Sequence, residues 1–198
     1  MPENESAGPG GELVGGARQA VLFAGIGSVA LGGLIAVWPH KTEATAQLLF
    51  GLYLLWGGAL QLIIAMGSRF ATALRIFVFF SGVASVALAV LSLRSANSVV
   101  LLAVLIGLGW AIRGIAQAIV AVWSDGLPES GWQEVFGLLT MMVGLVVIVL
   151  PFDSLEVLAL AVGGCAIVIG ALEILTGARR RGDVAPVPDT VPIPIIPN

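Results

Sequence analysis

Apolar residues in this chain do not alternate or recur in short amphipathic blocks; they run on almost without interruption. Runs fall at about Ala20–Trp38, Ala44–Met66, Ile76–Leu93, Ser98–Trp123, Trp132–Leu150 and Leu155–Thr176. Each is near the ~20 residues that carry a helix across a ~30 Å hydrocarbon core. Barrel strands would instead alternate over ~10 residues, and helices satisfy their own backbone hydrogen bonds, as lipid requires. The pattern predicts an all-α integral membrane protein with six transmembrane helices.

Polar marks inside these runs reveal a repeat. The stretch GALQLIIA (58–65) returns as GIAQAIVA (114–121) and GALEILTG (170–177), each step being 56 residues. Without a gap, Gly51, Gly107 and Gly163 align, as do Gly58, Gly114 and Gly170, followed by Gln61, Gln117 and Glu173. With 26 glycines in 198 residues, an all-glycine column arises by chance only about 0.1 times in such an alignment, so two columns seven apart mark a true repeat. In the first helix of each unit the same register aligns Gly25, Ser81 and Gly137, then Gly32, Leu88 and Gly144, then Pro39, Ser95 and Pro151.

Three tandem helical hairpins are therefore expected, at 17–66, 73–122 and 129–178 within a membrane domain spanning 17–178. Each unit crosses twice, so all enter from one side, as parallel repeats about an axis along the membrane normal. A pseudo-threefold bundle is the natural arrangement. Connectors are short, with proline ending the first and third ascending helices. Outside the domain lie a Gly-rich acidic tail, 1–16, and a basic then Pro-rich segment, 179–198, both expected to be disordered.

Composition confirms the class: 58% hydrophobic, 11% charged and mean hydropathy +1.04, against roughly 25% charged in soluble domains. Charge placement adds orientation. Arg18, Arg69, Arg75, Arg179, Arg180 and Arg181 flank the side shared by both ends, while Lys41 and Arg94 lie opposite, which predicts both termini in the cytoplasm. No cleavable leader is expected, because Arg18 is the first basic residue. The pI of about 5.0 argues against nucleic acid, which needs a concentrated basic face.

Six helices built as tandem hairpins, with a glycine-punctuated first helix running to W-P or L-P and a second carrying G-x6-G-x2-Q, resemble the HdeD family over about residues 17–178. That resemblance implies a bacterial inner-membrane protein connected with acid resistance, and it supplies no catalytic residues. The third copy departs by carrying Glu173 in place of glutamine, and the middle copy lacks the hairpin proline.

Within the spans, Gly51, Gly58 and Gln61 stand at i, i+7 and i+10 on one helical face. Two readings follow for Gln61, Gln117 and Glu173: interhelical glue beside close-packing glycines, or a polar constriction lining a path for a small solute or proton. Arg113 shares a face with Gln117 one turn on and can reach Glu173 across helices. Alternatively Arg113 snorkels to the surface and Glu173 faces Arg179 and Arg180. In the far-side turns, His40, Glu43, Asp153 and Glu156 are candidates for sensing acid, or serve only solubility.

Arg179, Arg180 and Arg181 are placed to fix topology and touch anionic lipid. Cys165 is alone and forms no internal disulfide; it reads as a packing residue. Trp38, Trp123 and Trp132 read as interfacial anchors, Trp56 and Trp110 as packing residues. With one His, one Cys and one Lys, and no phosphate-binding loop or nucleophile elbow, neither cofactor nor enzymatic activity is expected. The partners implied are the lipid bilayer and a further membrane protein or a second copy of the chain.

Overall fold

The computed structural model describes residues 9–39, 42–67, 72–94, 98–123 and 130–179. These form six helices: α1 (Pro9–Val37), α2 (Glu43–Gly67), α3 (Thr72–Arg94), α4 (Val99–Trp123), α5 (Ser130–Val149) and α6 (Leu155–Arg179). Five of them, α2 to α6, are long and apolar enough to cross a membrane. Among the described residues of α1 the apolar stretch is Val21–Val37.

Helix α1 begins at Pro9, inside the segment 1–16 read above as a disordered tail. Proline suits a first helical position, where its fixed φ is already helical and its missing N–H has no partner to lose. Residues 1–8 and 180–198, including Arg180 and Arg181, and the turn residue His40 lie outside the described residues.

Second helices of the three repeats start alike. Thr42, Ser98 and Ser154 stand 56 residues apart, and each hydroxyl oxygen accepts from the amide three residues on: Thr45 N at 3.2 Å, Leu101 N at 3.3 Å and Val157 N at 3.3 Å. Such N-caps satisfy an amide that has no intrahelical partner. They fix where α2, α4 and α6 begin, and hence the phase of every residue after them.

Packing does not follow the sequence hairpins. The densest contacts join α2 to α3, α4 to α5 and α1 to α6, whereas α5 and α6, one hairpin by sequence, barely touch. Glycine explains the choice of partner. A methyl group at Gly58 would lie 3.0 Å from Gly82 O, one at Gly114 2.5 Å from Gly137 O, and one at Gly170 2.7 Å from Gly25 O. One to two turns away along the same seams, Gly107 faces Gly144 O at 2.6 Å, Gly163 faces Gly32 O at 2.6 Å, and Gly51 faces Ala89 O at 3.3 Å. All six candidate packing glycines thus press backbone to backbone against a neighbouring antiparallel helix, as small residues do in membranes. The chain's first and last helices are one of these pairs, so the bundle closes on itself.

These contacts correct the alignment of α3. In the 56-residue register Ser81 and Leu88 should occupy the places of Gly25 and Gly32; Gly82 and Ala89 do so instead. Backbone approach selects the smallest side chain available, so α3 is displaced by one residue. With that shift a further column emerges, Ser28, Ser85 and Thr140, and all three are buried.

The inward stripe of α2, α4 and α6 keeps the unshifted register. Phe50, Ile106 and Val162 are all buried, as are Ala46, Leu102 and Leu158, and again Leu54, Trp110 and Ala166. Sizes compensate across the interior: the absent side chain of Gly109 admits Leu54, whose Cδ2 lies 2.2 Å from where a Cβ would stand. Large apolar residues of the outward faces, such as Phe80 and Leu160, are exposed where lipid would cover them.

Candidate functional site

A polar cluster lies within this stripe toward the C-terminal ends of α4 and α6. Arg113 of α4 is buried, as is Glu173 of α6, and Arg113 Nη2 donates to Glu173 Oε1 at 2.5 Å. Gln117, one turn after Arg113, sends Nε2 toward the same oxygen at 3.5 Å. Of the two arrangements weighed for Arg113, the interhelical pair is the one that forms. Its repeat equivalent in α2 is Gly57, and a methyl there would stand 3.7 Å from Arg113 Nη1, so the missing side chain leaves room for the guanidinium.

Above the pair, Trp110 Nε1 donates to Tyr53 Oη at 3.0 Å, with the rings edge to face at 6.1 Å and 78°. Tyr53 also stands within electrostatic range of Arg113 and Glu173. A cavity of about 10 Å³, walled by Tyr53, Gln61, Ser85, Trp110 and Arg113, lies alongside; this is roughly the space of one water. Tyr53→Phe should cost about 1–3 kcal/mol, because the buried indole N–H would lose its acceptor. Thermal unfolding in detergent would measure it, and a change under 0.3 kcal/mol, roughly the scale of an inconsequential substitution, would argue against the bond.

The three repeat marks do not converge on one constriction. Gln117 and Glu173 meet, but Gln61 Oε1 accepts from Ser81 Oγ of α3 at 2.9 Å, held there by the close α2–α3 seam. Side by side with the ion pair, Glu173 Oε2 and Gln117 Oε1 are buried acceptors with no donor among the described residues. Tyr53 and Ser85 carry no spacing signal as lone polar residues in apolar runs, and Ser81 is read from the sequence only as the middle copy's counterpart of Gly25 and Gly137. The caps Thr42, Ser98 and Ser154 could have been found, since they follow the 56-residue step.

The described far-side candidates lie at helix starts and in the turn before α6. Glu43 opens α2 and Glu156 lies in the first turn of α6, where a carboxylate favours the helix dipole; Asp153 is exposed in the turn before α6. Among the described residues no three His, Cys, Asp or Glu side chains gather closely enough to hold a metal. Arg179 ends α6.

An all-helical architecture of membrane-crossing length, a tandem short repeat and backbone-to-backbone glycine seams define a multi-pass membrane protein of the short-repeat class. The chain matches the family model described as short repeat of unknown function (DUF308) three times, over residues 23–94, 96–149 and 135–186, and it belongs to that family. This accords with the HdeD-like short repeat read from the sequence. The second match spans the close-packed pair α4–α5 and the third the sequence hairpin α5–α6, so one repeat can be cut in either phase. No curated protein and no solved structure matches the chain.

Proposed function

We propose that this is a non-enzymatic, HdeD-like protein of the bacterial inner membrane, with a structural or interaction role in envelope and acid-stress tolerance. It spans six times, with both termini in the cytoplasm and its three repeats about a pseudo-threefold axis. Helix α1 serves as the sixth span: its Gly25 and Gly32 lie against Gly170 and Gly163 of α6, so it is carried to the same depth as a helix long enough to cross. Arg179, Arg180 and Arg181 meet anionic lipid at the cytoplasmic surface, each contributing about 1 kcal/mol.

One observation carries the structural reading: the space between α2, α4 and α6 is filled by side chains, Phe50, Ile106, Trp110 and Val162 among them, each at most 1% exposed. A second reading, transport of a proton or small solute past Gln117 and Glu173, is favoured by their donorless oxygens. Vesicles containing the purified protein and an internal pH dye distinguish them. The structural reading expects an imposed pH step to decay as in protein-free vesicles, while cells lacking the protein survive acid challenge less well. A faster decay that Glu173→Gln abolishes would overturn it in favour of transport.

A further inference from the structure

We propose that Glu173 and Gln117 form a proton-binding site that works as a latch between α6 and α4. Two acceptors lie buried there without a donor, Glu173 Oε2 and Gln117 Oε1, although buried polar atoms are as a rule hydrogen-bonded. The two side chains already touch through Gln117 Nε2 and Glu173 Oε1 at 3.5 Å. One proton taken from water onto Oε2 creates the missing donor: the new O–H gives to Gln117 Oε1 while the amide N–H gives to Oε1. Acid and amide then close a two-bond ring, with no redox change and no other group transferred.

Taking up that proton removes the negative partner of Arg113, whose side chain is 10% exposed against 5% for Glu173. A buried cation without its counter-ion is strongly unfavourable. The consequence is directional because of how α6 is held. It is packed densely on α1 but only sparsely on α2, α4 and α5, and the Arg113–Glu173 pair ties it to α4 across one of these sparse seams. Protonation therefore exchanges the Arg113–Glu173 tie between α6 and α4 for the ring of Glu173 and Gln117 between the same two helices. Groups facing Glu173 are Arg113 and Gln117 on α4 and Tyr53 on α2. The inference concerns proton binding and stands independently of any role in acid survival.

Infrared difference spectra of the full chain in lipid vesicles, recorded as pH is lowered, test it. Expected is a protonated-carboxyl C=O band that is missing in Glu173→Gln and moved to higher frequency in Gln117→Leu, which leaves the ion pair intact. Gln117→Leu should also move the appearance of the band to lower pH, because the protonated carboxyl loses the acceptor that holds its O–H. Should the carboxyl band persist in Glu173→Gln, or keep its frequency in Gln117→Leu, the proton is not shared between these two side chains. If Glu173 stays ionised until the protein unfolds, a water molecule supplies the donor and the proposal is overturned. A band that appears at the same pH in Gln117→Leu as in the wild type would remove the latch.

Discussion

Truncating either partner of the buried pair, by Arg113→Ala or Glu173→Ala, is expected to destabilise the protein by about 3–5 kcal/mol, since the remaining charge is left buried alone. The geometry makes this a site-specific expectation. Arg113 Nη2 and Glu173 Oε1 are 2.5 Å apart, on helices that otherwise have few contacts with each other, and Gln117 Nε2, at 3.5 Å from the same oxygen, is a neutral donor that does not replace the lost charge. The double variant Arg113→Ala/Glu173→Ala should be far less damaging than the sum of the two. Unfolding of the detergent-solubilised protein in a double-mutant cycle gives the number directly, and additive single effects would mean that the two charges do not interact. The contribution of the intact pair is a separate quantity, because desolvating two charges offsets much of their attraction; a well-packed apolar pair at these positions could be as stable.

Gly114→Ala and Gly137→Ala should each cost about 1–3 kcal/mol, the usual range for forcing extra atoms into a filled interior. At Gly114 the added methyl would stand 2.4 Å from Met141 N, and at Gly137 2.6 Å from Ala118 N. Both obstacles are backbone, so relief requires α4 and α5 to move apart along their length. Gly33→Ala and Gly164→Ala are the controls. Nothing lies within 4 Å of a methyl at either site, and replacing glycine in a helix can gain up to about 1 kcal/mol. Thermal midpoints in one detergent compare all four. Equal losses at the seam and at the open sites would show that the glycines matter through helix propensity and not through close approach.

Much of the architecture was legible before folding was considered. Uninterrupted apolar runs announce membrane helices because lipid leaves no other backbone structure satisfied, and the observed bounds of α2 to α6 fall within a few residues of those runs. Gly58, Gly114 and Gly170 were read as packing positions, and each meets a neighbour's backbone. The polar site was legible in part. Arg113 and Glu173 stand out as charges in apolar runs, but their pairing competed with snorkelling, because a single long side chain can satisfy either demand. Gln61, though identical in repeat position to Gln117, takes Ser81 as its partner, while Gln117 lies beside Arg113 and Glu173, a difference that the repeat register does not carry.

By itself, then, the sequence determined helix number, helix faces and repeat length, all properties written into the order of apolar, small and polar residues along one strand of chain. Which helix packs on which was decided only in three dimensions. Glycine faces on α2, α4 and α6 are open to any partner with an equally thin backbone, and the hairpin neighbour is the obvious one by proximity. The structure instead pairs them with α3, α5 and α1, because there glycine meets glycine or alanine at matching heights and the backbones approach most closely. That choice closes the bundle through its first and last helices and places Arg113 against Glu173.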